Sequence, residues 1–228
     1  MLNHPPFTHE QILNIRAIHA WFNNFNTYYP YPNLKTQAEN FAHIIRHNSL
    51  HQHKIEYRYI DCSYFMWLCI FHFKPEAAAA LRFSMSIIER HLKNTYNIHI
   101  ESQYPLAIHF ALLSRNTDFW DSKMHKYFEP VSMDNLTPGT IVSWAFDSFL
   151  NPRDKKFQLE VDTGHVACVT SLPNKKREIQ MCHSVPKKQD PKKQGGPTET
   201  TFTLDGHIMK NIKNGNTHGG AFRIKNAI

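Results

Sequence analysis

The stretch Gly-His-Val-Ala-Cys-Val-Thr-Ser-Leu-Pro-Asn-Lys-Lys-Arg-Glu-Ile-Gln-Met-Cys-His, residues 164–183, is typical of two β-strands joined by a turn. Its first part is rich in β-branched residues and its last part alternates between polar and apolar residues. Residues 172–176 carry the Pro, Asn and Lys of a turn. A hairpin centred near Asn174 places His165 and His183 opposite each other or one step apart, on the same face and about 5 Å apart.

The regions around this hairpin divide the chain into a helical first half and a strand-rich second half. Apolar residues at helical spacing predict helices near residues 8–22, 35–46, 62–73, 75–93, 106–113 and 120–127. Three of them have a start signal, which is Thr8, Asp61 or Ser63, and Pro75. Short extended segments follow at residues 140–146, 165–172, 178–183, 202–204 and 221–224, after one earlier extended piece at 54–60. A helical half followed by an antiparallel half predicts an α+β fold.

This pattern suggests one catalytic domain that extends over residues 1–228. Within it we expect an N-terminal helical part at 8–50 and a helical insertion at 75–133. Residues 184–200 are dominated by Pro, Gly, Gln and Lys, so we expect a mobile loop there.

Composition excludes several classes of protein. The 228 residues include 26 Lys and Arg against 19 Asp and Glu, for a net charge of +7, and the basic residues are scattered. Because no basic stripe with interleaved aromatics is present, we expect no nucleic-acid partner. The longest apolar run, residues 64–71, is too short to cross a membrane. The first ten residues contain no secretory signal, so we expect a cytoplasmic protein or one exported by a route without a signal peptide.

A metal or cofactor is not expected either. The four cysteines are too few for a disulfide scaffold, and no two of them lie within four residues of each other. A zinc site would pair Cys and His at shorter spacings. The sixteen histidines are dispersed, and His99 and His109 fit satisfied positions in a hydrophobic core. The cysteines are Cys62, Cys69, Cys168 and Cys182.

One cysteine and two histidines form a candidate catalytic set. Cys62 stands at the start of a predicted buried helix, where the helix dipole and the unpaired amide groups favour the thiolate. His165 follows Gly164, a residue that allows close approach of a substrate or side chain. His183 can then orient His165, which deprotonates Cys62. The alternative is a core hairpin without a catalytic role.

Five segments in this order resemble the NlpC-type cell-wall peptidases, a papain-like family of cysteine peptidases. The related CHAP amidases share the Pro-Gly and Gly-His-Val-Ala segments. The resemblance covers residues 55–72 and 136–228. It departs from the family at Tyr64, where Gly is usual, and at Thr140, where Asp is usual. The five segments are Ile60-Asp61-Cys62-Ser63, Leu136-Thr-Pro-Gly139-Thr-Ile-Val-Ser-Trp144, Gly164-His165-Val166-Ala167, Ile179-Gln-Met-Cys-His183-Ser184 and Gly220-Ala-Phe-Arg223-Ile224.

The resemblance implies a papain-like fold and a thiol hydrolase that cleaves amide bonds in peptidoglycan-type short peptides. Its catalytic residues would be Cys62, His165 and His183. Protein amides, or acyl transfer by the same three residues, are alternative chemistries, and a catalytically inactive module that binds a protein partner is the alternative of another class. Substrate contacts would come from Tyr57, Tyr59, Asp61, Ser63 and Gly164.

Overall fold

A computed structural model of the chain describes residues 36–50, 61–100, 102, 104–145, 164–185 and 196–225. Its helices are Gln37–Leu50 (α1), Cys62–Phe73 (α2), Pro75–Tyr96 (α3), Ala107–Arg115 (α4), Ser122–Tyr127 (α5) and His207–Lys213 (α6), with a 3-10 turn at Thr117–Phe119. Its strands are Phe128–Val131 (β1), Thr140–Ala145 (β2), Gly164–Val169 (β3), Glu178–Val185 (β4), Gly196–Thr203 (β5) and Gly219–Ile224 (β6).

The strands form a single six-stranded sheet in the described part of the chain. Their order is β1-β6-β2-β3-β4-β5, and every neighbouring pair is antiparallel. Helices α1 to α4 pack on this sheet or on one another. The predicted α+β class is therefore confirmed.

Alternation along the strands divides the buried residues between the two faces of the sheet. One face, which we call the helical face, packs Ile141, Val166 and Cys168 against the buried residues of α1 to α4. The other, the distal face, packs Val142, Trp144 and Ala167 with Met209 and Ile212 of α6. Each side chain on a strand therefore belongs to one of two separate environments.

Helix α2 lies at the centre of the helical layer, with the bounds that the sequence predicts. Asp61 caps its first turn, and Pro75 begins the next helix after Lys74 ends this one. Eight of its twelve residues are buried, on all sides of the helix. A helix that is apolar all round is stable only when it is surrounded by other elements, and α2 packs against β3, β4 and α3.

The prediction of a mobile loop over residues 184–200 is wrong at both ends of that range, where the structure has strands. Ser184 and Val185 complete β4, and residues 196–200 begin β5. Gly196 and Pro197 pair with Val185 and Ser184. Pro is compatible with this strand because β5 lies at the edge of the sheet, where one row of amide groups needs no partner strand.

The helical insertion predicted for residues 75–133 contains more than helices. Its last residues form β1, which pairs with β6. Helix α4 packs directly on β2 and β6, so this region contributes to the central layers. Strand β1 has only four residues, one of which is Pro130, so its sequence shows no clear alternation of polar and apolar residues.

Several predictions fall outside the described residues. These are the helix near residues 8–22, the extended piece at 54–60 with Tyr57 and Tyr59, and the centre of the segment after β4, residues 186–195.

No described helix combines the length and the apolar character that crossing a membrane requires.

Candidate functional site

The two histidines of the hairpin are in direct contact. Nε2 of His165 and Nδ1 of His183 are 2.6 Å apart, a hydrogen-bond distance. The ring centroids are 4.7 Å apart and the ring planes are nearly perpendicular, at 87°. The predicted juxtaposition of His165 and His183 is therefore present.

Their strand register differs by two residues from the predicted one. Cys168 pairs with Cys182 and Val169 with Met181, so His183 lies diagonal to His165 instead of opposite it. Diagonal neighbours on one face of an antiparallel pair remain within reach of long or aromatic side chains. The shared face was the correct part of the prediction, and the exact pairing was wrong.

Aromatic rings and one hydroxyl surround the pair on the distal face. The ring of Trp144 lies 5.0 Å from that of His165, and the ring of Phe202 lies 5.6 Å from that of His183. Nε2 of His183 is 2.7 Å from Oγ1 of Thr200 on β5. Three adjacent strands thus contribute to one hydrogen-bonded chain.

Burial makes both histidines weak bases. It lowers the pKa of His165 to about 3, with a further contribution from the neighbouring charge of His183, and it lowers the pKa of His183 to about 4. Both imidazoles are therefore neutral at pH 7. A neutral imidazole has one N–H donor and one acceptor nitrogen, which suits a chain of hydrogen bonds.

Cys62 is the first residue of α2 and is buried, with 5% of its surface exposed. The residue before it, Asp61, accepts hydrogen bonds from the Tyr64 amide and the Ser63 hydroxyl, both at 2.7 Å. The Tyr104 hydroxyl donates to the other carboxylate oxygen at 3.3 Å. The structure thus assigns Asp61 and Ser63 to the cap of the helix.

Tyr64, where the resemblance leads one to expect Gly, belongs to this cap region too. Its ring lies 4.5 Å from that of Tyr104 and 5.9 Å from that of Trp67. Burial and the charge of Asp61 raise the pKa of Tyr64 to about 12, and the pKa of Tyr104 is raised by the same causes. Both phenols are protonated at neutral pH and can act as hydrogen-bond donors.

The structure does not bring Cys62 to the histidines. Cys62 belongs to the buried cluster on the helical face, together with Val166 and Cys168. His165 lies between Gly164 and Val166 in β3 and pairs with Trp144, a residue of the distal cluster. Since neighbouring strand residues point to opposite faces, the sheet lies between the thiol and the His165 ring.

Gly164 allows strands β2 and β3 to lie close together. Its φ is +149°, a value that other residues rarely adopt, and it pairs with Ala145. A Cβ atom at this position would lie 2.2 Å from the carbonyl oxygen of Trp144. The space that we predicted for a substrate beside Gly164 is therefore occupied by β2.

Thr200 and Tyr104 were absent from the sequence-based set. Thr200 lies in a segment whose Pro, Gly, Gln and Lys residues predict a loop, so no strand alternation in the sequence places it beside His183. Tyr104 lies 43 positions from Asp61 in sequence, and their contact depends on tertiary packing. His109, by contrast, is buried as expected, and its Nδ1 accepts the Leu106 amide at 2.9 Å. His99 is exposed, so the core position predicted for it is wrong.

Within the described residues, no group of three or more His, Cys, Asp or Glu side chains is arranged to hold a metal ion.

Comparison of the chain with protein-family models, curated proteins and solved structures finds no match.

Proposed function

We propose that this protein is a cysteine hydrolase of amide bonds, with Cys62 as nucleophile, His165 as base and His183 as the residue that orients the base. The observation that carries this proposal is the 2.6 Å contact between Nε2 of His165 and Nδ1 of His183. Among the described residues, no hydrogen bond engages Nδ1 of His165. An imidazole whose Nε2 is held by a second residue is oriented in the way that the base of a catalytic triad requires.

The position of Cys62 supports its role as nucleophile. The first residue of a helix lies at the positive end of the helix dipole, which favours a thiolate over a thiol. The Asp61 carboxylate next to it has the opposite influence, but its oxygens are engaged by the Tyr64 amide and the hydroxyls of Ser63 and Tyr104. Those hydrogen bonds delocalise the carboxylate charge and fix the helix start.

The reaction requires a state in which Cys62 and His165 are in contact. The two histidines of the β3–β4 hairpin lie on the distal face, whereas Cys62 lies on the helical face. The proposal therefore includes a second state, distinct from the one described above.

The substrate class comes from the resemblance to NlpC-type peptidases. Short peptides with D-amino acids, as in peptidoglycan, are the first choice, and protein amides are the second. Mass spectrometry of both substrate classes should show cleavage by the wild type and none by Cys62→Ala. Cys69→Ala, which removes another thiol of α2, should still cleave. Cleavage by Cys62→Ala at the wild-type rate would contradict the proposed mechanism.

The second candidate function is a papain-like module without activity that binds a protein partner. The separation of Cys62 from His165 by the sheet favours it. Alkylation of thiols discriminates the two functions. Cys69, fully buried and with a pKa that burial raises well above its usual range, provides the internal reference for a slow thiol.

In a hydrolase, Cys62 should be alkylated much faster than Cys69. The substitution His165→Ala should lower the alkylation rate of Cys62 and leave that of Cys69 unchanged, because the base that deprotonates Cys62 is lost. In a binding module, Cys62 should react slowly, and His165→Ala should not change its rate.

A further inference from the structure

Thr200 completes a hydrogen-bonded chain across β3, β4 and β5. Its Oγ1 lies 2.7 Å from Nε2 of His183, whose Nδ1 lies 2.6 Å from Nε2 of His165. His183 is 95% buried, and both of its ring nitrogens have a partner. Thr200, by contrast, is partly exposed.

The direction of this chain decides which nitrogen of His165 is basic. Because a neutral imidazole has one N–H and one lone pair, the two hydrogen bonds of His183 must run in the same direction. If Thr200 donates to His183, then His183 donates to His165, and the His165 proton lies on Nδ1. If Thr200 accepts, the His165 proton lies on Nε2, and Nδ1 retains its lone pair.

We propose that Thr200 is a positioning residue: its oxygen accepts the Nε2–H of His183 and thereby keeps the lone pair of His165 on Nδ1. This inference rests on the proposed function, in which Nδ1 of His165 takes the thiol proton. Both histidines are neutral at pH 7 because burial lowers the pKa of each. A hydroxyl can donate or accept, but Thr200 is partly exposed, so water can receive its proton while its oxygen accepts from the buried His183.

The substitution Thr200→Val tests this role because it preserves the shape of the side chain and removes the acceptor. The buried Nε2–H of His183 would then lack a partner, which is costly. The proton of His183 should move to Nδ1, which donates to His165 and transfers the His165 proton to its Nδ1. Thr200→Ser retains the hydroxyl and should keep the original tautomers.

The measurement is ¹⁵N NMR of the imidazole nitrogens at pH 7, which distinguishes protonated from unprotonated nitrogens. We expect an unprotonated Nδ1 of His165 in the wild type, in Thr200→Ser and in the control Thr198→Val, whose residue lies on the same face of β5. We expect a protonated Nδ1 in Thr200→Val. A protonated Nδ1 in the wild type, or unchanged tautomers in Thr200→Val, would overturn the inference.

This experiment is independent of catalysis, so its failure is distinguishable from failure of the proposed function. Should wild type and Thr200→Val differ as expected while no amide is cleaved, Thr200 sets the tautomers and the hydrolase proposal fails. Where cleavage is found, Thr200→Val should lower kcat by a factor on the order of 10² or more, because the wrong tautomer of the catalytic histidine greatly lowers kcat in catalytic triads. KM should change little, and Thr200→Ser should restore kcat.

Discussion

The paired histidines couple stability to pH at the scale of single residues. Both have a native pKa, about 3 for His165 and about 4 for His183, below the value near 6.5 expected in the unfolded chain. Between about pH 4 and 6.5 the unfolded chain therefore binds more protons than the native one. Stability should fall as the pH is lowered through this window, and it should be insensitive to these residues above pH 7.

Urea midpoints at pH 7, 6 and 5 measure this effect. The wild type should lose stability steadily, whereas His183→Gln should show a flatter dependence because one titrating group is removed and the other loses its partner. The exposed His207→Gln variant should retain the wild-type slope. Identical slopes for wild type and His183→Gln would show that these histidines do not titrate in the manner described.

The element that carries Cys62 depends on one capping residue. Asp61→Ala removes the acceptor for the Tyr64 amide, the Ser63 hydroxyl and the Tyr104 hydroxyl. Loss of an N-cap costs about 0.5–2 kcal/mol, and α2 is central, so we expect a value in the upper part of that range. Asp205→Ala, which removes an exposed ion pair with Arg177, should cost about 1 kcal/mol or less. Chemical unfolding of both variants and of the wild type measures these losses of unfolding free energy.

The contact between α1 and the sheet depends on a glycine. Gly139 precedes β2 with a φ of +87°, and a Cβ atom there would lie 2.0 Å from the Ala38 carbonyl oxygen of α1. Gly215 has a similar φ of +74° in open surroundings. Gly215→Ala should therefore cost only the backbone strain of about 1–2 kcal/mol, and Gly139→Ala should cost more. Equal losses of unfolding free energy would argue against tight packing at Ala38.

At the scale of the whole molecule, one buried cluster extends from α1 through α2, α3, α4 and α5 to the sheet. Phe41 and Leu68 of the helices belong to it together with Ile141 and Phe222 of the strands. Such shared burial predicts a single cooperative transition. Helical signal in far-UV circular dichroism and tertiary signal in near-UV circular dichroism should change together during unfolding. Two separated midpoints would indicate that the helical half and the sheet unfold independently.

Local signals in the sequence determined the secondary structure that surrounds the candidate residues. Asp61 before an apolar run predicted the start of α2, and Pro75 predicted the start of α3, because caps and Pro act within one turn of the chain. β-Branched residues predicted the strand that carries His165, and alternation predicted the strand that carries His183. The residues of the pair, and their common face, could be read from the hairpin alone.

Only the tertiary structure decided how these elements meet. The side of the sheet on which α2 packs depends on how all the helices share the buried surface, and no local pattern specifies it. That choice places Cys62 and the histidines on opposite faces. Contacts across long sequence distances, such as Asp61 with Tyr104 and His183 with Thr200, arise in the same way, because packing and not propensity fixes which distant residues become neighbours.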